Sequence, residues 1–192
     1  MGGMRTMDGE FARALRRRCD DAGALLIFDE IQTAPARTGT WFAGEHWDVA
    51  PDMIVTAKGV AGGFPAGAVL AQGDVAASVR PGDQGTTFGG GPLACAAIDA
   101  TLDELIEIDG PARARSIEQR MREAFDILGL GALLGIRVDG EAKDAVLTLR
   151  EKHRVLVGGC PGDPRVIRLF PPLVITGDEL DEGIQALRSV LS

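Results

Sequence analysis

Lysine is rare in this chain: Lys58, Lys143 and Lys152 stand against seventeen arginines. Lys58 alone falls between an apolar run and a glycine-rich turn, in Val55-Thr56-Ala57-Lys58-Gly59. Lysine in a low-polarity site tends toward a depressed pKa, and a neutral amine attacks a carbonyl carbon to form a Schiff base. From its position alone, a solvated lysine at a strand end is the simpler reading. Upstream, Phe28-Asp29-Glu30 puts acids directly after a second apolar run. Burying an unpaired carboxylate is costly, so Asp29 is expected to meet a cationic or protonated partner, and an acid so placed also suits magnesium. Lys58 comes 29 residues after Asp29, at the end of a following strand. The pair fits a cofactor needing both a covalent amine and an anion beside a protonated ring nitrogen, which is what pyridoxal phosphate requires.

Two further segments carry polar chemistry. The stretch Gly82 to Gly91 offers backbone groups able to approach an anion, with hydroxyls at Thr86 and Thr87, but lacks the lysine and spacing of a nucleotide-triphosphate loop. Arg168 alternates with Ile167 and Leu169 ahead of Pro171-Pro172, so its fork is suited to gripping a substrate carboxylate through two parallel bonds. A surface or salt-bridge arginine is the plainer reading there. Cys19, Cys95 and Cys160 make neither a close pair nor a zinc pattern with His46 and His153, so they are expected as free thiols with no metal site.

The elements that position these residues follow from periodicity. Gly9 to Ala22 reads as a helix with Phe11, Leu15 and Cys19 on one stripe, ending near Gly23 and feeding the apolar run Ala24 to Phe28. Met53 to Thr56 and Ala66 to Leu70 repeat the pattern of short strands between glycine, proline or acidic punctuation, which suits a mostly parallel sheet. Ligand chemistry is then expected just past the strands' carboxyl ends. Pro92 to Ile108 and Pro111 to Phe125 read as helices, with a domain boundary expected near Asp109-Gly110-Pro111. Beyond it, Ala132 to Val138, Val155 to Val157 and Val166 to Phe170 are strand candidates and Asp178 to Leu191 a closing helix, an α+β character.

With 192 residues, the chain has room for a core. A net charge of −8 disfavours nonspecific nucleic-acid binding. No apolar run reaches the length of a membrane span, and Met1-Gly2-Gly3-Met4-Arg5 leads into charged residues rather than a signal peptide, so a cytoplasmic protein without membrane or nucleic-acid partners is expected. Glycine is frequent at 26 residues and tyrosine absent. The glycines cluster at 59–63, 85–91 and 129–140 rather than in a repeat, marking local bends.

Taken together these segments resemble the class III aminotransferases, the ornithine and acetylornithine aminotransferase group. The resemblance rests on Leu26-Ile27-Phe28-Asp29-Glu30-Ile31-Gln32-Thr33, Arg37-Thr38-Gly39, Pro51-Asp52-Met53-Ile54, Ala57-Lys58-Gly59, Gly62-Gly63-Phe64-Pro65, Gly85-Thr86-Thr87-Phe88-Gly89-Gly90 and Arg168-Leu169-Phe170-Pro171-Pro172-Leu173, in the family's order. It implies an aspartate-aminotransferase-like α/β fold of type I, with residues 1–109 the rear portion of the cofactor-binding large domain and 110–192 an α+β small domain. It also implies a homodimer using pyridoxal 5'-phosphate, with Lys58 forming the cofactor Schiff base and Asp29 paired to the pyridinium nitrogen. Gln32 would sit near the phenolic oxygen, and Ile31 would pack on a ring face. Thr87, with Thr86 beside it, would reach the cofactor phosphate of the neighbouring subunit, and Arg168 would bind the substrate's α-carboxylate. The implied reaction moves an amino group from an acetylornithine- or ornithine-like amine to a 2-oxo acid such as 2-oxoglutarate, with Lys58 carrying the proton between substrate and cofactor.

The sequence departs from that pattern in places. Ala34 and Ala36 stand where glycine is usual, Gly91 where asparagine is usual, and Leu128 where arginine is usual. Gly2-Gly3-Met4 matches the family well inside its large domain, so the front half, which supplies the phosphate cup and the ring-stacking aromatic, has no counterpart here. A catalytically inactive fragment acting as a fold or interaction module is therefore the competing reading. A phosphate-binding α/β protein is a third, but it leaves the Asp29 and Lys58 pairing unexplained.

Overall fold

The computed structural model describes residues 3–191; Met1 and Gly2 of the opening run and the terminal Ser192 lie outside the described residues. The chain folds as two compact units, residues 7–36 with 40–109, and residues 1–6 with 37–39 and 110–192.

The first unit begins with α1 (Gly9–Ala22), started by Asp8, whose carboxylate accepts the Glu10 and Phe11 amides, and stopped by Gly23 in the left-handed conformation. Its buried face is Ala12 with Leu15 and Cys19, packed on Leu26, Val49, Phe28 and Trp47. Phe11, expected on that stripe, is 60% exposed, because the core-facing row starts one residue later. Three strands follow, β1 (Ile27–Asp29), β2 (Met53–Ala57) and β3 (Gly67–Ala71), in sheet order β1-β2-β3. Only β1 and β2 are parallel, and β2 pairs with β3 antiparallel, with Thr56 opposite Ala68. The expected mostly parallel character thus gives way to a mixed sheet in these three strands. The short link from β2 to β3 has no room for the dozen or more residues of a parallel crossover. A short helix α2 (Gly73–Ala77) and the long α3 (Pro92–Glu107) complete the unit, α3 packing on the turn that follows β2.

The second unit opens with α4 (Gly110–Ala124) and the hairpin β4 (Ile127–Leu130) and β5 (Leu133–Arg137). Then come α5 (Ala142–Lys152), β6 (Gly158–Cys160), β7 (Asp163–Leu169) and α6 (Gly177–Leu191). The four strands form an antiparallel sheet in the order β4-β5-β7-β6. Alternation puts Leu134, Ile136, Ile167 and Leu169 on one face, all buried, with α5 on β6 and β7 and α4 on β4. On the other face Met4 packs with Cys160 and Val166, joined by Leu128 and Leu133. The Leu128 departure thus places an apolar side chain in an apolar cluster. The strand expected at Val155 to Val157 forms instead at Gly158–Cys160. There the backbone pairs with β7, Gly158 opposite Arg168 and Gly159 opposite Ile167, and Arg168 Nε also donates to the Gly159 carbonyl at 2.6 Å.

Candidate active site

In the first unit, the carboxyl ends of β1 and β2 lie side by side, with Asp29 opposite Val55. Lys58 follows β2 directly, three residues past that rung, or about 10 Å of extended chain. It opens a single 3-10 turn, Lys58–Ala61, whose Val60 and Ala61 are buried. Lys58 itself has φ +51, a left-handed conformation that a side chain adopts at a cost of roughly 1 kcal/mol and that concentrates at functional sites. Packing of α3 braces the turn from below: a Cβ on Gly62 would lie 3.1 Å from the Thr101 hydroxyl. The lysine is exposed, which is the solvated strand-end placement and not the low-polarity one, and its amine pairs with no carboxylate among the described residues.

Asp29 corrects a second expectation. It is exposed, whereas its neighbour Glu30 is 2% exposed. Consecutive strand residues face opposite ways, so Asp29 shares the open face with Ile27 while Glu30 points to the face covered by the Ala43–Trp47 turn. One Asp29 oxygen accepts the Ile31 amide at 3.0 Å, a local turn that fixes the carboxylate and leaves its second oxygen available. The buried Glu30 carboxylate accepts the Thr33 hydroxyl and the Gly44 amide, the latter at 3.2 Å. Gly44 admits nothing larger, since a Cβ would lie 2.8 Å from the Phe28 ring and 2.9 Å from the Val49 carbonyl. Glu30 thus ties down the turn that carries Ile31 and Gln32, both half-buried.

Thr86 and Thr87 lie on the exposed loop leading into α3. The Thr86 hydroxyl accepts the Gly89 amide at 3.0 Å and shapes the loop. Gly91 caps α3 without a side-chain bond, where asparagine would supply one. Ala36 has φ +66 and no exposure, which accounts for the usual glycine at that position.

Arg168 belongs to the second unit. It is half-buried on β7, with its guanidinium carbon 5.2 Å from the centre of the Phe170 ring. That unit also holds residues 37–39. Burial lowers the Arg37 guanidinium to about 10. Of the predicted site residues, Asp29, Ile31, Gln32 and Lys58 therefore gather at one end of one sheet, with Thr86 and Thr87 in the same unit. Glu30 and Arg37 also shape these units without a role foreseen from sequence; their signals are an acid within Asp-Glu after a strand and an arginine opening Arg-Thr-Gly.

The donor set fits pyridoxal phosphate: an unpaired amine and a half-used carboxylate at adjacent parallel strand ends. The model for aminotransferase class-III matches residues 1–191. The chain belongs to the class-III aminotransferases. This class-III chain is 38% identical, over its whole length, to acetylornithine aminotransferase of Bacillus subtilis and covers 51% of that protein. It is 44% identical over 98% of its length to acetylornithine aminotransferase of Methanopyrus kandleri, covering 50% of it. Among solved structures, ornithine aminotransferase of Toxoplasma gondii superposes with a TM-score of 0.88 at 32% identity, over 96% of this chain and 47% of that one. The chain spans about half the length of the relatives it matches. Its fold is the α/β fold of type I, with part of the large domain and a C-terminal α+β region. Pyridoxal phosphate is the defining cofactor of class-III aminotransferases. No helix among the described residues is long and apolar enough to cross a membrane.

Proposed function

We propose that this chain carries the lysine-bearing part of a site that moves an amino group from an acetylornithine- or ornithine-like amine to a 2-oxo acid such as 2-oxoglutarate. The observation that carries the proposal is the pairing of Asp29 and Lys58 at the ends of neighbouring parallel strands, each with polar capacity unused within the unit. When bound, the cofactor supplies an electrophilic carbonyl and a ring that withdraws electrons once its nitrogen is protonated. Asp29 would keep that nitrogen protonated through the carboxylate oxygen that the Ile31 amide leaves unused. Lys58 would hold the cofactor through its amine and, when free, would carry a proton at Nζ to and from the substrate's amine-bearing carbon. Its left-handed backbone and buried turn keep the amine's origin fixed while the side chain moves. Gln32 would hold the phenolic oxygen and Ile31 would pack on a ring face.

In the same proposal, Arg168 takes the substrate α-carboxylate and Thr87, beside Thr86, reaches the cofactor phosphate of a second subunit in a cytoplasmic homodimer. Residues 1–109 serve as the rear of the large domain and 110–192 as the small domain. The alternative is a catalytically inactive fragment that keeps the fold as an interaction module.

Titration with pyridoxal phosphate, followed by visible absorbance, separates the two. Saturable absorbance lost in Lys58→Ala supports the proposal, whereas absorbance that never saturates, or survives the substitution, supports the inactive module.

A further inference from the structure

We propose that Arg37 is a positioning residue for Arg168, acting through the Pro171 carbonyl. The chain leaving β7 runs Phe170-Pro171-Pro172-Leu173, and neither proline has an amide hydrogen to continue the ladder. Its carbonyls are instead fastened by arginine side chains. Arg37 Nη1 donates to the Pro171 carbonyl at 2.9 Å, and Arg113 Nε donates to the Leu173 carbonyl at 3.2 Å. The second Arg37 nitrogen donates to the Ala132 carbonyl at 2.7 Å, just before β5, the strand paired with β7. One guanidinium therefore joins the entry of β5 to the exit of β7.

The fit is reciprocal. The Ala132 amide donates to the Arg37 carbonyl at 2.8 Å, and Ala132 is fully buried. A Cβ on Gly131 would lie 2.4 Å from the Arg37 carbonyl oxygen, so the strap 37–39 is seated in a groove only glycine leaves open. Nothing in this arrangement is a salt bridge. A planar fork to two carbonyls fixes direction in a way that the single point donor of a lysine does not.

The consequence reaches Arg168 in one step. Phe170 directly precedes Pro171, and its ring lies under the Arg168 guanidinium at 5.2 Å. The other side of Arg168 is fixed by its bond to the Gly159 carbonyl. Releasing Pro171 frees the Phe170 ring and with it one of the supports that aim Arg168. The functional part of this inference rests on Arg168 as the carboxylate-binding residue; the positioning itself does not.

The test follows the Arg168 Nε–H signal by nitrogen-15 NMR in the whole chain, assigned by its loss in Arg168→Lys. In Arg37→Met, which keeps the stem and removes both donors, solvent exchange of that proton speeds up by about tenfold, while the Ile136 and Ile167 amides keep their protection. Arg37→Lys restores part of it. Unchanged Arg168 exchange in Arg37→Met, or an equal acceleration of the two sheet amides, overturns the positioning. Should Arg37→Met not fold, Arg37→Lys decides alone, with faster Arg168 exchange over unchanged sheet amides in favour and unchanged exchange against. Separately, an Arg168→Lys chain with unaltered affinity for 2-oxoglutarate overturns the carboxylate role, and the functional part of the inference with it.

Discussion

The two units solve opposite problems with similar sheets. In the second unit Leu134, Val166 and Ile167 are completely buried, and both faces of the central strands are covered. In the first, β1 and β3 remain largely open: Ile27 is 51% and Val69 59% exposed on the face that also bears Asp29. The closed sheet fixes Arg168 through a lattice of arginine-to-carbonyl bonds. The open sheet holds Lys58 by a left-handed turn braced by α3, and Asp29 by an Asx turn. Chemistry-bearing strand ends can thus be preset by a few residues of backbone on a sheet whose outer face is open.

This contrast is breakable. The largest effect belongs to the closed sheet: Leu134→Ala should cost about 2–5 kcal/mol in chemical denaturation of the second unit, and a loss below about 1 kcal/mol would mean that its core is looser than described. Next comes acid sensitivity in the first unit. The Leu26 amide at 2.6 Å and Arg16 at 2.7 Å hold the Asp52 carboxyl below the usual carboxylate range. The unfolded chain then binds the proton more readily, so this stabilisation is full above the ordinary carboxylate range and is lost as pH falls through the lowered value. Asp52→Asn should flatten the acid limb of the thermal midpoint between about pH 6 and pH 3, and an unaltered slope would remove Asp52 from the account.

On the open face, Val69→Thr should change stability by no more than about 0.5 kcal/mol. A larger loss would show the face covered in solution and sharpen the contrast into one about assembly. Smallest of all, Gly91→Asn should stabilise α3 by a few tenths of a kcal/mol, roughly the value of a side-chain cap, read as a small rise in thermal midpoint.

Legibility followed the same division. The ends of α1 were readable because Asp8 and Gly23 are a cap and a stop whose physics is local. Helix α5 and strand β4 went unread. Gly129 interrupts the apolar pattern of β4, and only its partner explains it: φ is +91 and a Cβ would lie 2.2 Å from the Leu133 carbonyl. Strand β6 is Gly-Gly-Cys, with no pattern of its own, and is defined only by its pairing with β7. At the candidate site, Lys58 and Asp29 were visible from residue type and place, but their exposure was not, since burial depends on which strand face is covered. Glu30 illustrates the point: adjacent in sequence to Asp29, it is the acid that the fold buries. Arg37 stood in a quoted motif without a role, because its partners Ala132 and Pro171 are distant in the chain.

The central claim is that Lys58, of the three lysines, is the amine built to capture an aldehyde cofactor. Reduction of the pyridoxal phosphate-treated chain with borohydride, followed by peptide mass spectrometry, tests it most directly. One modified peptide is expected, bearing the label on Lys58 at stoichiometric occupancy. Label spread among Lys58, Lys143 and Lys152, or confined to either of the latter two, would contradict it.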